Sequence, residues 1–340
     1  MKISFLVTYY NQEQFVRNSL DSILAIDKPD EWEILVGDDG SSDGTREIVQ
    51  EYINQDPEHI HLLVMPREQG VRYDPVQRAS ANRLNLLQHS TGEYFCTLDG
   101  DDYYTDTSFV QDALKIFSEN EGISLVAFGF GYYQDGQLLG SVLLPVDENQ
   151  RIDTDTYLQK WYIHSGACVY RNLWGRERTE YLKNLGAFDD NDIVLNSLNF
   201  GDMFFVKKNI YAYRQTGESV YTSMDLLGKF MLNAYAYDLE RYLIEKEYHS
   251  VLQYRFRSSI LGLYVWRKRI DQIVNRAKKD YYLEQSSKLP ESITYRILTG
   301  EKEEETRKEI GQLIRKDPKL YTIIRLSYLK RRWVTGVESV

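Results

Sequence analysis

The chain has 340 residues, 42% hydrophobic and 27% charged, with 7 prolines and 21 glycines. That length suits a catalytic core with an appendage, and the composition excludes a disordered, fibrous or low-complexity protein. The net charge of −10 is uneven: residues 1–225 hold 18 Lys and Arg against 36 Asp and Glu, and residues 226–340 hold 23 against 15.

An acidic body excludes a general nucleic-acid grip, which needs a basic face. No apolar run approaches the ~20 residues of a membrane-spanning helix. The apolar stretch of Met1–Thr8 is too short for a signal peptide. Cys96 and Cys168 are too few for a disulfide framework and fit a reducing compartment. A cytoplasmic protein is expected.

The first hundred residues alternate between two periodicities. Ile3–Val7 reads as a buried strand, and Asn11 with Gln14 three residues on suggests the cap of a helix with Val16, Leu20, Ile23 and Leu24 on one face. Glu33–Val36 predicts a second strand, and Ser42–Thr45 predicts the start of a second helix running to Tyr52. His61–Met65 predicts a third strand, residues 77–88 a third helix, and Tyr94–Leu98 a fourth strand. Such alternation with short links gives a mostly parallel sheet with helices on both faces, an α/β fold whose ligands bind beyond the carboxyl ends of the strands. From 123 to 213 the strand pattern is less regular and suggests an antiparallel extension. Beyond 225 the pattern is helical, so two domains are expected, 1–225 and 226–340.

Two polar clusters fall at predicted strand ends. In Gly37–Thr45 the glycines and serines serve a strand-to-helix turn. The turn does not account for adjacent Asp38 and Asp39, and a carboxylate there can accept a hydrogen bond from a nucleobase imide. In Asp99–Asp102 three carboxylates within four residues repel one another. Hard oxygen ligands at this spacing suit Mg²⁺ or Mn²⁺ bridging a diphosphate. A solvated acidic turn is the alternative, while the ligand pattern of a calcium loop is absent.

Four segments in register carry a family resemblance: Thr8-Tyr9-Tyr10-Asn11, Asp38-Asp39-Gly40-Ser41-Ser42-Asp43-Gly44-Thr45, Thr91-Gly92-Glu93-Tyr94 and Asp99-Gly100-Asp101-Asp102. Their order and spacing resemble the family-2 glycosyltransferases of GT-A fold, tightly over about a hundred residues and more loosely to about 223. The resemblance implies that Thr8 and Asp39 hold the uracil of a UDP-sugar, with Tyr10 in the same segment. It also implies that Asp99 and Asp101, flanked by Gly100 and supported by Asp102, hold the metal and ribose. Family members place an arginine near the helix before Thr91, where Arg78 and Arg83 stand five residues apart, and Arg78 is favoured.

In inverting sugar transfer a carboxylate takes the proton of the acceptor hydroxyl. Asp189-Asp190-Asn191-Asp192 falls where the family carries Glu-Asp before an apolar helix. In that register Asp192 is the base and Asp190 the runner-up, with helix capping as the alternative use. Tyr213-Arg214-Gln215-Thr216-Gly217-Glu218-Ser219 resembles the segment after the last core strand, where Arg214 would neutralise the diphosphate and Gln215 replaces a frequent His. His164 would line an acceptor pocket or be a satisfied structural residue.

The resulting expectation is an inverting glycosyltransferase using Mn²⁺ or Mg²⁺, a UDP-sugar, and a saccharide or lipid-linked saccharide acceptor. The rivals are a nucleotidyltransferase, which would show a Gly-rich phosphate loop near the first strand, and a non-catalytic sugar-binding or assembly subunit. From Gln312 to Thr335 seven Lys and Arg accompany one acid, Asp317, among Leu320, Ile323, Ile324, Leu326, Leu329 and Trp333. Such a segment suits an anionic bilayer at the cytoplasmic membrane face. Packing on the catalytic domain or on a second copy is the alternative.

Overall fold

The computed structural model describes residues 2–335 other than 69, 72, 74, 186–187, 217–223 and 274–275. The chain divides into two units, residues 1–216 and 217–340.

In the first unit β1 (Lys2–Tyr9), α1 (Glu13–Leu24), β2 (Glu31–Asp38), α2 (Thr45–Gln55), β3 (Ile60–Val64), α3 (Pro75–His89) and β4 (Tyr94–Asp99) alternate as their periodicities predict. β1 runs parallel to β2 and β4, and β2 runs parallel to β3. Ile3 to Val7 are all buried, as a strand covered on both faces requires. The face of Ile3, Phe5 and Val7 shares one core with Val16, Leu20 and Ile23 of α1 and with Val49 and Tyr52 of α2. Each fully buried aliphatic side chain there contributes ~1.5–3 kcal/mol. The strand ends are therefore a rigid base for the loops they carry.

The rest of the unit is β5 (Tyr103–Tyr104), α4 (Phe109–Glu119), β6 (Ile123–Gln134), β7 (Gln137–Val142), β8 (Gln150–Ile152), α5 (Thr154–Lys160), β9 (Cys168–Arg171), α6 (Gly175–Leu185), α7 (Asp190–Leu198) and β10 (Asp202–Arg214). The ten strands among the described residues form one sheet in the order β3-β2-β1-β4-β9-β6-β10-β5, with β7 beside β6 and β8 beside β10. The expected antiparallel extension holds for β7, β8 and β9, and β5 also pairs antiparallel with β10. It fails for the longest pairing, β6 with β10, which is parallel. The chain between those two strands carries α5, α6 and α7, so it is long enough to return β10 in the same direction.

The second unit is helical among its described residues: α8 (Leu226–Glu240), α9 (His249–Arg255), α10 (Arg257–Trp266), α11 (Ile270–Ile273), α12 (Arg276–Ser287), α13 (Ile293–Thr299), α14 (Glu303–Lys316) and α15 (Pro318–Thr335). The buried carboxylate of Asp238 on α8 accepts the Ser292 hydroxyl at 2.6 Å and the backbone N–H groups of Ile293 and Thr294 at 2.8 and 2.9 Å. It thereby caps the start of α13. On α15, Ile324 is buried and the Tyr328 ring meets Trp266 edge-on, while Ile323 and Leu326 are 61% and 52% exposed. The side chains of Arg331, Arg332 and Trp333 lie outside those described. No helix among the described residues is long and apolar enough to cross a membrane.

Candidate active site

The loops after β1 and β2 are tied into one platform at the carboxyl edge of the sheet. Asn11 has φ of 51°, in the left-handed region that Asn tolerates. Its N–H donates to the Ser41 hydroxyl at 2.9 Å, and its side-chain oxygen accepts the Ser42 N–H at 2.8 Å. Gln12 N–H donates to Thr45 Oγ1 at 2.9 Å, Glu13 N–H to the Asp43 carboxylate at 3.1 Å, and Gly44 N–H to the Glu13 carboxylate at 2.6 Å. Asn11 is therefore not the cap of α1, which starts after Gln12 without a side-chain cap. Gly40 turns at φ of 71°, a conformation that favours glycine.

The adjacent acids Asp38 and Asp39 have separate uses. Asp38 is fully buried and accepts the Ser41 N–H at 3.0 Å, which holds the turn. Asp39, 5% exposed, is clamped between two arginines. Arg67 Nη2 reaches one oxygen at 2.5 Å, and Arg78 Nε reaches the other at 2.5 Å. Arg67 also donates to the Asp39 carbonyl at 2.7 Å, and its guanidinium lies 3.8 Å from the centroid of the Tyr10 ring. Tyr10 is 44% exposed, so ring and guanidinium form a planar surface beside a carboxylate acceptor. Sequence reasoning missed Arg67, because a lone arginine in the segment after β3 gives neither a period nor a motif.

The acid cluster lies beside this platform. β1 and β4 place Thr8 opposite Asp99, and the Thr8 hydroxyl approaches Asp99 Oδ1 at 3.3 Å. Arg83 donates to Asp99 at 2.7 Å and to Asp189 at 3.2 Å, so Arg78 and Arg83 serve different carboxylates. Gly100 is required by close approach: a Cβ there would run into the Tyr9 ring and the Gln12 side chain. Burial, and then the Asp99 charge, push the Asp101 carboxyl above the usual range. Asp102 is 2% exposed, accepts the Tyr211 hydroxyl at 2.6 Å and the Arg214 N–H at 2.7 Å, and is pushed well up by burial and by Asp101 and Asp99. The Arg214 guanidinium donates to the Asp101 carbonyl at 2.5 Å and to Asn18 at 2.6 Å, and lies 4.7 and 5.0 Å from the Phe15 and Tyr103 ring centroids. Gln215 N–H donates to the Tyr133 carbonyl at 2.7 Å. Gly217, Glu218 and Ser219 lie outside the described residues.

This donor set fits a hard divalent cation. Burial and mutual repulsion work against the charges of Asp101 and Asp102, and a cation offsets both costs. One oxygen each of Asp99 and Asp102 lie within 4.8 Å of each other and of a ring nitrogen of His164.

The acids at the start of α7 also divide their roles. Asp189 is the N-cap. Asp192 closes a capping box, its Oδ2 accepting the Asp189 N–H at 2.9 Å, and is 6% exposed. The side chain that the sequence favoured as base is thus turned back onto its own helix. Asp190, the runner-up, accepts the Ser165 hydroxyl at 2.5 Å and faces His164 Nε2 at 3.8 Å, with its side chain 25% exposed. Burial opposes its charge, but His164, Arg83 and the Ser165 hydroxyl together hold its carboxyl below the usual range. His164 is 3% exposed inside a box of aromatic rings, 4.7 Å from Tyr211, 5.3 Å from Tyr213 and 5.5 Å from Phe130 by centroid.

A mostly parallel α/β sheet that presents a planar platform, an acid cluster and a paired carboxylate beyond its strand ends defines a GT-A-type domain. The chain belongs to glycosyl transferase family 2, whose model matches residues 4–178. It is 26% identical over 170 residues to an uncharacterized protein of Mycobacterium tuberculosis, covering 50% of this chain and 46% of that one. It is also 26% identical over 231 residues to the uncharacterized glycosyltransferase EpsJ of Bacillus subtilis, covering 64% and 62%. A Staphylococcus epidermidis poly-beta-1,6-N-acetyl-D-glucosamine synthase is 35% identical over 106 residues, covering 31% and 23%. The chain spans less than two thirds of each of these three relatives. Among solved structures, residues 1–349 of Staphylococcus aureus TarS in complex with UDP align with a TM-score of 0.61 at 17% identity, covering 97% of this chain and 92% of that one, which shows a shared fold.

Proposed function

We propose that the chain transfers a sugar, with inversion, from a UDP-sugar to a hydroxyl of a saccharide or lipid-linked saccharide in cell-surface polysaccharide synthesis. One observation carries this reading: the Tyr10–Asp39 platform, the Asp99–Asp102 cluster and Asp190 lie together beyond the strand ends, with Arg83 bridging Asp99 to Asp189 beside Asp190. That arrangement offers a base site, a diphosphate site and a proton acceptor in succession. The UDP and UDP-GlcNAc complexes of TarS support a uracil nucleotide. The synthase among the relatives supports a polysaccharide product.

In this reading Tyr10 and Arg67 stack the uracil, and Thr8, Asp39 and Arg78 complete its pocket. Asp99 and Asp101, with Asp102 behind them, would hold Mn²⁺ or Mg²⁺, which would offset charge on the diphosphate. Arg214 adds positive charge on the same side. The acceptor hydroxyl oxygen attacks the anomeric carbon as its proton passes to Asp190 Oδ2, and the bond from that carbon to the diphosphate oxygen breaks. Asp190 replaces Asp192 as the proposed base, because Asp192 is committed to the capping box.

Release of nucleotide from UDP-, GDP-, CDP- and dTDP-sugars in Mn²⁺ tests the reading. UDP-sugars should be turned over with preference. Pyrophosphate release from a nucleoside triphosphate would make the protein a nucleotidyltransferase. Failure to turn over any sugar nucleotide, with UDP still bound, would make it a binding subunit. On α15 the exposed Ile323, Leu326 and Leu329, with Lys319, Arg325 and Lys330 beside them, support peripheral contact with an anionic bilayer.

A further inference from the structure

His164 carries the inference, through three observations that do not depend on one another. Its Nε2 is buried and, among the described residues, has no hydrogen-bond partner, an expensive state for a polar atom. That atom faces the Asp190 carboxylate at 3.8 Å, and a donor atom of the same ring lies within 4.8 Å of Asp99 and Asp102 oxygens. Its other nitrogen, Nδ1, accepts the backbone N–H of Gly166 at 3.2 Å, just inside the turn before β9.

The Gly166 contact decides which way the ring is used. A nitrogen that accepts an N–H carries no hydrogen, so the neutral ring keeps its hydrogen on Nε2. The Nε2 is then a donor pointed at carboxylates, and its lone pair is not open to a metal. The surroundings allow little freedom to turn the ring away. Tyr211, Tyr213 and Phe130 box it in, and Tyr211 is itself anchored through its hydroxyl to Asp102. A Cβ on Gly166 would strike the Tyr211 ring, so the turn that supplies the N–H fits only glycine at this approach.

We propose that His164 is a positioning residue for sugar transfer, its Nε2–H holding Asp190 with Oδ2 aimed at the acceptor hydroxyl; this rests on the reading of Asp190 as the base. Ser165 fixes the other oxygen, Oδ1, at 2.5 Å. Ser165 therefore fixes one oxygen of the carboxylate while His164, the residue before it, faces the other. At 3.8 Å the His164 contact is looser than a formed hydrogen bond. Catalytic contacts are often long without substrate and tighten in the substrate complex.

The test compares His164→Phe, which keeps a ring against Tyr211, with His164→Gln, whose amide nitrogen reaches the place of Nε2. Sugar transfer, donor KM, Mn²⁺ affinity and melting temperature are measured for both and for Asp190→Asn, alone and combined with His164→Phe. His164→Phe should lower kcat ~10–100-fold, the loss of one hydrogen bond to a charged acceptor, with donor KM and Mn²⁺ affinity unchanged. His164→Gln should recover most of that loss. The double variant should be no slower than Asp190→Asn. Wild-type turnover by His164→Phe while Asp190→Asn is inactive overturns this inference alone. A more than tenfold loss of Mn²⁺ affinity in His164→Phe overturns it in favour of a metal ligand. Normal turnover by Asp190→Asn overturns the base assignment and this inference with it.

Discussion

Asp190→Asn and Asp192→Asn form the sharpest pair of perturbations, because both remove one negative charge from the same helix start at nearly constant shape. Asp190 Oδ2 faces His164 and is not used by the backbone, whereas Asp192 Oδ2 accepts the Asp189 N–H at 2.9 Å. Removing a general base costs ~10²–10⁴ in rate, or about 3–5 kcal/mol of barrier. Removing one acid from the first turn of a helix costs ~0.3–1 kcal/mol of stability. At ~2–4 °C per kcal/mol for a domain of this size, that lowers the melting temperature by ~1–4 °C. Asp190→Asn should therefore lose turnover ~10²–10⁴-fold with donor affinity nearly unchanged and, since it too is a first-turn acid, a melting temperature lower by the same ~1–4 °C. Asp192→Asn should melt slightly lower and turn over within a few-fold of wild type. The assay is UDP release with and without acceptor, beside differential scanning fluorimetry. The reverse pattern, an inactive but fully stable Asp192→Asn with an active Asp190→Asn, would refute the assignment.

Three further outcomes are expected. Burial and repulsion raise the Asp101 and Asp102 carboxyls, so protons are retained above the ordinary carboxylate range and must leave before a metal binds. These two groups favour the folded apo protein at low pH and less so as pH rises through their raised values. The melting shift caused by Mn²⁺ should accordingly grow from pH 5 to pH 7, and a shift that shrinks over that range would sink the metal role of these acids. Arg67→Ala removes a guanidinium from the Tyr10 ring, and UDP affinity should fall ~3–30-fold with little change in kcat; unchanged affinity, measured by calorimetry, would remove Arg67 from the base pocket. The pair Ile323→Ser and Leu326→Ser should release the chain from anionic vesicles at low salt without lowering its melting temperature, since both side chains are more than half exposed. Equal sedimentation of the two forms would leave α15 without a membrane role.

By itself the sequence determined the sheet from β1 to β4, because strictly local periodicities set each strand and helix and short links allow little choice of order. It also singled out Asp39, Asp99, Asp101 and Asp102 as candidates, since acids adjacent in sequence at a strand end announce themselves without a fold. The tertiary structure decided what depends on partners distant in the chain. It set the parallel pairing of β6 with β10 across an intervening run of helices. It brought Arg67 onto Asp39 from the segment after β3, and His164 and Ser165 onto Asp190 across about 25 residues. It also separated Asp190 from Asp192. Two acids in the first turn of one helix look alike in sequence, and only the direction of each side chain, one onto the Asp189 N–H and one toward His164, distinguishes the cap from the proposed base.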